Sequence, residues 1–309
     1  MKGDRYCFIV NPAAGGGCAG RNWPALQQRL TAAGISHVYH ISEHKGHSQE
    51  LASAAFDAGH TDFVVVGGDG TANEVLNGVY PKALQNSADI RLGIIPWGTG
   101  NDWASYYGLP SAPGSLVDLL ESGSSVTQDI GKATYLDSSG EHRTRYFLNC
   151  CGTGFDSYLL EEMNSPRGSR LRYFLYVLKC VYQYRAATLH LVMDEESVDA
   201  PVLLLEICIG TFAGAGMRFA PEAVADDGLF EVLLINKLSV PQILASLFYL
   251  YNGRINEHWA VRRWQKREIS IGKQAEQFFH CDGELIAKLP VKIDILPRAI
   301  RVIAPLKNS

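Results

Sequence analysis

The residues best suited to chemistry lie in a glycine-rich segment, residues 64–78, which reads VVVGGDGTANEVLNG. Gly67, Gly68 and Gly70 carry no side chains, so the backbone can turn tightly there and present its N–H groups. A glycine loop that leads into the N-terminus of a helix is a site where phosphate binds. Asp69 would repel a phosphate at this position unless a cation lay between them. We therefore expect Asp69 to hold Mg²⁺ or to accept a proton.

Two further loops have the same character. Residues 11–20 read NPAAGGGCAG, residues 96–102 read PWGTGND, and each loop follows an apolar, β-type segment. The carboxyl ends of parallel strands lie at one edge of a sheet, and open α/β sheets bind their ligands at that edge. The sequence therefore predicts that all three glycine loops meet at one edge. Thr99, Asn101 and Asp102 add polar side chains to it.

A pair of acids, Asp282 and Glu284, stands in the tetrapeptide CDGE near the end of the chain. In an extended segment these two side chains share one face, because side chains alternate along a strand. A carboxylate in such a pair can accept the proton of an alcohol, and a like charge nearby raises the pKa of one member. An Asp-Gly dipeptide is also typical of a hairpin turn, and the residues alone favour the turn.

The elements that must position these residues differ between the two parts of the chain. Up to about Gly123, apolar β-type runs alternate with helical patterns, which predicts a parallel sheet covered by helices on both faces. The predicted strands are Tyr6–Val10, 38–41, 63–66 and 92–95, and the predicted helices are 23–33, 48–58 and 71–84. Thr71 and Glu74 have the spacing of a capping box at the start of the last helix.

From about Val126 onward β-type segments dominate, which predicts a mainly antiparallel β domain with helical insertions. The predicted strands are 145–150, 188–193, 202–209, 229–235, Glu268–Ile271 and 291–295, and the predicted helices are 171–184 and Val240–Tyr251. Ser239 and Gln242 form a capping box in front of the second helix. The boundary between the two domains is expected between Gly123 and Asp129.

The composition narrows the class of protein. A length of 309 residues predicts two domains, at about 150 residues each. The 28 basic and 32 acidic residues give a net charge of −4, which argues against a nucleic-acid partner. The seven cysteines lack zinc-binding spacing and predict reduced thiols in a cytoplasmic protein. No apolar run reaches the length of about 18 residues that a membrane span needs, so any lipid must be reached from the water side.

One glycine pattern favours a different function. Gly15, Gly17 and Gly20 match G-x-G-x-x-G after a strand, and Glu43 follows the second strand, where an acid that binds ribose would stand. These residues are compatible with a dinucleotide-dependent oxidoreductase. That interpretation leaves Asp69 and the other two glycine loops without a role, and it therefore stays the alternative.

The loop motifs taken together resemble the diacylglycerol kinase catalytic family, which includes bacterial lipid kinases, sphingosine kinases and ceramide kinases. The resemblance rests on GGDGT followed by NEV, on the NP-x-x-G opening and on GTGND. NAD kinases and phosphofructokinases carry loops related to GGDGT alone. Later family-like segments are VTQDIGK (126–132), CGTGFDSYL (151–159), RFAPEAVADDGLFEV (218–232) and CDGE (281–284). The resemblance thus covers nearly the whole chain.

The resemblance implies an ATP-dependent lipid kinase with a place in phospholipid biosynthesis. The first candidate reaction is transfer of the γ-phosphoryl group to diacylglycerol, which yields phosphatidic acid. A sphingoid base or another lipid is the alternative acceptor, followed by an NAD kinase-like reaction and by a sensor without turnover. The implied fold has two domains, a nucleotide-binding α/β domain (1–125) and a β-sandwich-like lipid-substrate domain (126–296). A final strand, at about 297–309, returns to the first domain. ATP and the lipid headgroup are expected in the cleft between the two domains.

The resemblance also implies roles for individual residues. The nucleotide is expected to contact Asn11, Pro12, Ala13, Ala14, Gly15, Ser42, Gly67, Gly68, Asp69, Gly70, Thr71, Ala72, Asn73 and Thr99. Glu284 matches the general base, and the acids tied to the active site and its Mg²⁺ are Asp69, Asp102, Asp129 and Asp282. A structural Mg²⁺ is expected at the Asp227 carboxylate and at the carbonyl groups of Val224 and Leu229. Trp97 and Ser105 depart from the family pattern, which usually has a smaller residue and an arginine there.

A lipid kinase must also contact a bilayer, so we expect transient, peripheral binding at a membrane surface. Residues 169–185 mix basic and aromatic side chains as interfacial helices do, and residues 244–254 are a second candidate. A helix packed in the core explains either segment more simply. An exposed strand edge would also allow two copies to pair as a homodimer.

Overall fold

The computed structural model describes residues 5–162, 179–180, 182–272 and 277–306. The chain forms two compact units. Unit 1 comprises Met1–Ile130, Gly214–Gly216 and Pro297–Ser309, and unit 2 comprises Gly131–Ala213 and Met217–Leu296. Strands β5 (Ser125–Leu136) and β17 (Val291–Ile303) each run from one unit into the other.

Unit 1 is a parallel sheet with helices. Its strands are β1 (Tyr6–Val10), β2 (His37–Ile41), β3 (Asp62–Gly67) and β4 (Arg91–Pro96), in the order β2-β1-β3-β4. Its helices are α1 (Ala14–Ala32), α2 (His47–Asp57), α3 (Asp69–Asn86), α4 (Asp102–Tyr106) and α5 (Pro113–Ser122). The end of β17 continues this sheet, because Arg301 and Val302 pair in parallel with Arg91 and Leu92.

The strands of unit 1 are buried because they are almost wholly apolar. Every residue of β1 is buried, as are four of the six residues of β4. Phe8 packs against Trp23 of α1, and the Tyr6 hydroxyl donates a hydrogen bond to the carbonyl of Leu120 in α5. The predicted α/β fold with a parallel sheet is confirmed.

Two helix starts in unit 1 differ from the sequence prediction. The bounds of α1 start at Ala14, but Gly15, Gly16 and Gly17 are left-handed, so its regular turns begin after Gly17, ahead of the predicted start at residue 23. Helix α3 begins at Asp69, with Gly68 as its N-cap, so Thr71 does not cap it. Because Glu74 accepts the backbone N–H of Gly46 at 2.9 Å instead, the predicted capping box is wrong.

Unit 2 is rich in antiparallel strands. They are β6 (His142–Phe147), β7 (Cys150–Gly154), β8 (Ala187–Met193), β9 (Glu196–Cys208), β10 (Phe212–Ala213), β11 (Met217–Arg218), β12 (Phe230–Asn236), β13 (Val261–Lys266), β14 (Glu268–Ile271), β15 (Phe278–Cys281) and β16 (Glu284–Lys288). Its described helices include α6 (Phe155–Glu162), α7 (Val240–Tyr251) and a short 3₁₀ turn, Ile255–Glu257. The predicted second, β-rich domain is confirmed.

Strand β9 is the longest strand that lies wholly in unit 2 and is its centre. Its first half pairs with β8, and its second half pairs with β7 on one side and with β12 on the other. Strand β15 extends this sheet beyond β7, and β16 extends it beyond β15. All of these pairings are antiparallel, so short connections can join neighbouring strands.

One predicted strand of unit 2 is wrong, and one helix is confirmed. Residues 145–150 are not one strand, because the chain bends at Leu148 and Asn149 between β6 and β7. Helix α7 has its predicted bounds, and its capping box is present, since the N–H of Ser239 donates to Gln242 Oε1 at 2.9 Å. The predicted helix 171–184 lies mostly outside the described residues. Within the described ranges, no helix is long and apolar enough to span a membrane.

Candidate active site

The three glycine loops of unit 1 meet at one edge of the sheet, as the strand pattern predicts. The Asn11 side chain, after β1, donates a hydrogen bond to Thr71 Oγ1 in the loop region after β3, at 3.0 Å. A side chain on Gly15 would lie 2.3 Å from the carbonyl oxygen of Trp97, after β4. The loops after β1, β3 and β4 therefore touch one another.

The closest approach joins the second and third loops. A Cβ atom on Gly98 would lie 2.3 Å from the Cα of Gly68, a separation that carbon atoms do not reach. Both positions therefore need glycine because the two backbones are in direct contact. Asn101 holds the third loop in shape, since its Oδ1 accepts the N–H of Gly98 and its Nδ2 donates to the carbonyl of Pro96.

The Asp69 carboxylate has a structural partner within unit 1. Its Oδ2 accepts the N–H of Asp102 at 3.0 Å, and its Oδ1 accepts the N–H of Trp103 at 3.2 Å. These N–H groups belong to the first turn of α4, which has no acceptors for them inside the helix. A carboxylate at a helix N-terminus is electrostatically favourable. The presence of Asp69 among glycines thus has an explanation that does not require a cation.

Two other acids of unit 1 bind backbone in the same way. The carboxylate of Asp102 accepts the N–H groups of Ala215 and Gly216, at 2.8 and 2.7 Å. Asp129, which is fully buried, accepts the N–H of Arg298 at 2.6 Å. Asp102 thereby holds the inserted segment Gly214–Gly216 to unit 1, and Asp129 holds the returning strand.

The predicted nucleotide-binding residues of unit 1 divide by exposure. The residues at the loop surface are exposed or half-buried, and they are Asn11, Pro12, Ala13, Ala14, Gly15, Gly68, Asp69, Gly70 and Thr99. Gly67, Thr71 and Ser42 are buried, and the N–H of Ser42 donates to the carbonyl of Val10. Ala72 and Asn73 are completely buried, so their side chains point away from the loop surface. The first-turn N–H groups of α3 face the loop, because N–H groups point out of a helix N-terminus.

Trp97 and Ser105, the two departures from the family pattern, have local roles. Trp97 is buried in the core of unit 1, and its ring N–H donates to the carbonyl of Ser111 at 3.1 Å. It therefore fills the loop and offers no open face for stacking. Ser105 donates its hydroxyl to the carbonyl of Asn101 at 2.8 Å, which is a bond within one turn of α4.

In unit 2, Asp282 and Gly283 form the two-residue turn of the β15–β16 hairpin. Both residues have positive φ, 47° and 78°, as a type I′ turn requires. The Asp282 side chain accepts three backbone N–H groups, those of Leu148, Asn149 and Cys150, at 2.8–3.1 Å. This triple contact bends the chain between β6 and β7, which is why the predicted strand 145–150 is interrupted.

Glu284 starts strand β16 and pairs with Arg145 of β6. The Arg145 Nη2 and the Glu284 Oε2 are 3.3 Å apart, and the two side chains are 16% and 24% exposed. The Arg145 guanidinium is thus close enough to orient the Glu284 carboxylate. Glu284 is thus a half-buried carboxylate that solvent and a small ligand can reach.

The predicted structural Mg²⁺ residues lie in one loop of unit 2. Asp227 is exposed, and its Oδ1 accepts the N–H of Leu229 at 2.9 Å. Val224 is also exposed. Carboxylate and carbonyl oxygens are the donors that Mg²⁺ prefers, so the chemistry of this donor set fits the ion.

Sequence reasoning missed a cluster of three ionisable side chains in unit 2, Asp156, Glu206 and His280. His280 contacts Asp156 through Nε2, and this nitrogen lies 3.5 Å from Glu206 Oε1. Burial raises the pKa of the Glu206 carboxyl to about 8, and the nearby Asp156 adds to the rise. Burial alone would lower the pKa of His280, but the two acids hold it well above its usual value. A charged residue inside the apolar run 202–209 was the available signal.

A cavity of about 250 Å³ lies beside this part of unit 2. Its lining mixes aromatic and polar side chains, including Tyr158, Tyr184, Arg185 and Phe278. The hydroxyl of Tyr184 accepts a hydrogen bond from Gln277 at 3.1 Å, and burial raises the pKa of that hydroxyl. The cavity can accept a small polar group that is flanked by apolar surface.

Sequence models of known families match both parts of the chain. The diacylglycerol kinase catalytic domain matches residues 5–133. The YegS C-terminal NAD kinase beta sandwich-like domain matches residues 149–304, which is just over half of the chain.

Curated relatives match over almost the full length. A diacylglycerol kinase of Staphylococcus saprophyticus is 27% identical, over 99% of this chain and 97% of its own. A diacylglycerol kinase of Mycobacterium tuberculosis (strain H37Rv) is 28% identical, over 96% of this chain and 94% of its own.

Solved structures share the fold. A diacylglycerol kinase from Bacillus anthracis str. Sterne has a TM-score of 0.71 at 21% identity, and covers 99% of this chain and 98% of its own. Yeast NADH kinase, solved with NADH, has a TM-score of 0.60 at 10% identity, over 100% of this chain and 85% of its own. At these identities the likeness extends to the fold alone.

Proposed function

We propose, from the premise that the chain belongs to the diacylglycerol kinase catalytic family and is a lipid kinase, that it transfers the γ-phosphoryl group of ATP to diacylglycerol. The single observation that carries this proposal is the meeting of the three glycine loops at one edge of the unit 1 sheet. Phosphoryl transfer depends mainly on positioning and on charge stabilisation, and backbone N–H groups supply both. Curated relatives named diacylglycerol kinase support diacylglycerol as the acceptor.

The loops of unit 1 bind the nucleotide in this proposal. The bare backbone after β1, the first turn of α3 and the loop after β4 present N–H groups that suit a polyphosphate. The tight contacts at Gly15, Gly68 and Gly98 exclude side chains from the cradle. Asp69 and Asp102 contribute by holding α4 and the segment Gly214–Gly216 in place, through the backbone bonds described above.

Glu284 accepts the proton of the lipid hydroxyl in this proposal. Its side chain is half-buried, and the ion pair with Arg145 orients its carboxylate. Asp282 positions Glu284, because its three backbone bonds fix the hairpin turn that precedes β16. A positioned base contributes on the order of 10²–10⁴ to the rate. ATP supplies the phosphoryl group, and Mg²⁺ offsets its charge.

A nucleotide acceptor is the second candidate, because yeast NADH kinase shares the fold. An enzyme of that kind phosphorylates a water-soluble ribose hydroxyl and needs no lipid. A sphingoid base or another lipid remains the alternative acceptor within the family. The curated relatives named above are kinases, so they give the oxidoreductase alternative no support.

The test is phosphate transfer from labelled ATP to a panel of acceptors, with diacylglycerol, sphingosine and ceramide in mixed micelles and NAD⁺ in solution. We expect the label in phosphatidic acid. Glu284→Gln should lower this activity by about 10²–10⁴ while ATP binding and the unfolding temperature stay close to those of the parent. Labelled NADP⁺ with unlabelled lipids would refute the proposal.

Glu141→Gln is the matched control for Glu284→Gln. Glu141 pairs with Arg143 at 2.8 Å, as Glu284 pairs with Arg145, but Glu141 is exposed. We expect this variant to retain the parent activity. Full turnover in Glu284→Gln would remove Glu284 from the mechanism and leave the lipid kinase assignment standing.

We further propose that unit 2 contacts the bilayer through the end of α7 and the segment after it. Phe248, Tyr251 and Trp259 are largely exposed, and ring contacts through Tyr249 and His258 join Phe248 to Trp259. Exposed aromatic side chains of this kind partition into the membrane interface. The other predicted segment, 169–185, lies mostly outside the described residues. The homodimer and the cytoplasmic location stay predictions.

Vesicle flotation tests this contact. The double variant Phe248→Ser and Trp259→Ser should reduce binding to vesicles that contain diacylglycerol and anionic phospholipid. Leu84→Ser removes an equally exposed apolar side chain from unit 1 and should leave binding unchanged. Equal loss in both variants, or no loss in either, would refute a docking surface at α7.

A further inference from the structure

The buried cluster of Asp156, Glu206 and His280 lies outside the predicted catalytic, nucleotide and magnesium residues. Each side chain offers one atom that can bind a metal ion, and the three atoms lie within 4.8 Å of one another. They come from the start of α6, from near the end of β9 and from β15. Residues far apart in sequence thus meet at one point of unit 2.

The strand register creates the space for this cluster. Gly152 of β7 lies directly between Glu206 of β9 and His280 of β15, since it pairs with both. A Cβ atom on Gly152 would lie 2.9 Å from Glu206 Oε2 and 2.4 Å from the carbonyl oxygen of Leu205. Because the middle position of the row carries no side chain, the acid and the imidazole can extend toward each other across it.

Two polar atoms of the cluster lack the hydrogen bonds that buried groups normally make. Glu206 and His280 are only 3% and 4% exposed. His280 Nε2 pairs with Asp156, but His280 Nδ1 and Glu206 Oε2 have no hydrogen-bond partner among the described residues. Buried polar groups are almost always satisfied, and a bound ion is one established reason for an exception.

The structure assigns a zinc-binding site to Asp156, Glu206 and His280. One imidazole nitrogen and two carboxylate oxygens form a donor set that suits Zn²⁺, whereas Mg²⁺ and Ca²⁺ prefer oxygen alone. Three protein ligands leave the fourth position of a tetrahedral ion for water.

The distances fit with one adjustment. Zinc at about 2.0–2.2 Å from each ligand holds the ligand atoms about 3.3 Å apart. The separation of His280 Nε2 from Glu206 Oε1, 3.5 Å, already matches this value. Asp156 lies closer to His280 and must move outward. Its side chain is 22% exposed while both of its carboxylate oxygens are buried, so the movement that makes room for the ion must also admit it.

A bound ion would tie together three elements that support the candidate base. His280 is in β15, which leads through Asp282 and Gly283 directly to Glu284. Zinc would therefore fix β15 against β9 and α6, in addition to the backbone pairing of the sheet. The assignment does not depend on the proposed lipid or nucleotide.

Metal content and thermal unfolding of the full chain test the site. All proteins carry His44→Asn and His47→Asn, because His44, His47 and Glu50 form an exposed trio that can also bind zinc. After chelation and dialysis against Zn²⁺, we expect one equivalent of bound zinc by elemental analysis. Zinc at about 100 times its dissociation constant should raise the unfolding temperature by about 4 °C. Mg²⁺ at the same concentration should not.

Variants locate the site. Glu206→Gln and Asp156→Asn, which keep side-chain size, should each weaken zinc binding at least about 100-fold and abolish the thermal shift. His190→Gln is the control, since this histidine pairs with Asp199 at the surface of the same unit. Cobalt should give the visible absorption of a four-coordinate ion in the parent and in His190→Gln only. Unchanged zinc binding in Glu206→Gln, or no binding in the parent, would overturn the assignment.

Discussion

The acids at the loop edge of unit 1 and the acids in the interior of unit 2 are used in opposite ways. Asp69 and Asp102 accept backbone N–H groups with both carboxylate oxygens, so their charges are balanced by peptide dipoles. Glu206 and Asp156 instead lie against His280 and each other. The first pair of acids is satisfied by backbone, whereas Glu206 Oε2 has no hydrogen-bond partner in the part of the chain that the structure describes.

The reason for the difference is the source of the donors. At the ends of strands and helices, N–H groups are without partners, and a short acid in a loop reaches them easily. In the middle of a sheet, the ladder already uses every N–H group, so a buried side chain must find a side chain or an ion. Asp69, Asp102 and Asp282, which belong to recognisable motifs, thus hold the backbone. Glu206, which no motif indicates, is left available to a ligand.

Asp282 belongs to the CDGE motif, and its side chain accepts more backbone N–H groups than that of Asp69, Asp102 or Asp129 does. We therefore expect the largest loss of stability from a change at Asp282. Asp282→Ala leaves three N–H groups without their acceptor and should lower the free energy of unfolding by about 3 kcal/mol or more. Asp282→Asn retains one acceptor oxygen and tolerates the left-handed turn, so it should lose less. Urea unfolding of both variants measures the difference. Equal losses would mean that the backbone bonds contribute little.

Gly98→Ala should have the next largest effect, because it tests whether the loop edge of unit 1 is as tight as its contacts indicate. The added methyl group meets the backbone at Gly68, which cannot move without opening the loops, and we expect a loss of about 2–3 kcal/mol. Gly16→Ala is the control, since it has a positive φ but open space around it. Strain alone should cost it about 1 kcal/mol. A Gly98 variant no less stable than the Gly16 variant would contradict the contact.

Asp69→Asn separates the two roles considered for the Asp69 carboxylate, capping of α4 and binding of Mg²⁺. If it caps α4, the amide offers one acceptor oxygen instead of two, and the free energy of unfolding should fall by about 1–2 kcal/mol without any Mg²⁺ present. If it also serves the metal, as the sequence motif predicts, the Mg²⁺ concentration for half-maximal activity should rise. A change in Mg²⁺ dependence with unaltered stability would contradict the capping role.

The smallest expected effect is on the rate at which buried cysteines are alkylated, and it involves no change in stability. Burial raises the pKa values of Cys150, Cys151, Cys208 and Cys281 well above the usual value, and Glu206 raises three of them further. A raised thiol pKa means less reactive thiolate at a given pH, so alkylation at pH 8 should be very slow in the folded protein. Half-buried Cys18, in α1, should react first. Mass spectrometry of peptides after timed labelling gives the order in which the cysteines react. Early labelling of Cys150, Cys151, Cys208 or Cys281 would contradict the burial of these thiols.

Much of unit 1 follows from sequence pattern. Strand β1 has its predicted bounds, and the other three parallel strands differ by one or two residues at their ends, because runs such as residues 63–66 are apolar throughout and bounded by glycine or proline. The meeting of the three glycine loops follows from the same rule, since parallel strands end at one edge. The predicted start of α1, at residue 23, is late by a few residues, because the helix becomes regular directly after three left-handed glycines.

Unit 2 shows what pattern alone leaves open. The bend at Leu148 and Asn149 is stabilised by a side chain that lies more than 130 residues later in the chain. No local signal in the segment 145–150 predicts such a contact. The hairpin and the acid pair were competing interpretations of CDGE, yet Asp282 forms the turn and binds backbone at once.

The sequence by itself determined the class of fold, the three loops and the family, because these depend on local periodicity and on short motifs. Only the tertiary structure decided what the acids do. A carboxylate's role depends on which donors surround it, and those donors come from distant strands whose register is set by packing. Gly152 illustrates this point, since its missing side chain matters only because β9 and β15 lie on either side of it.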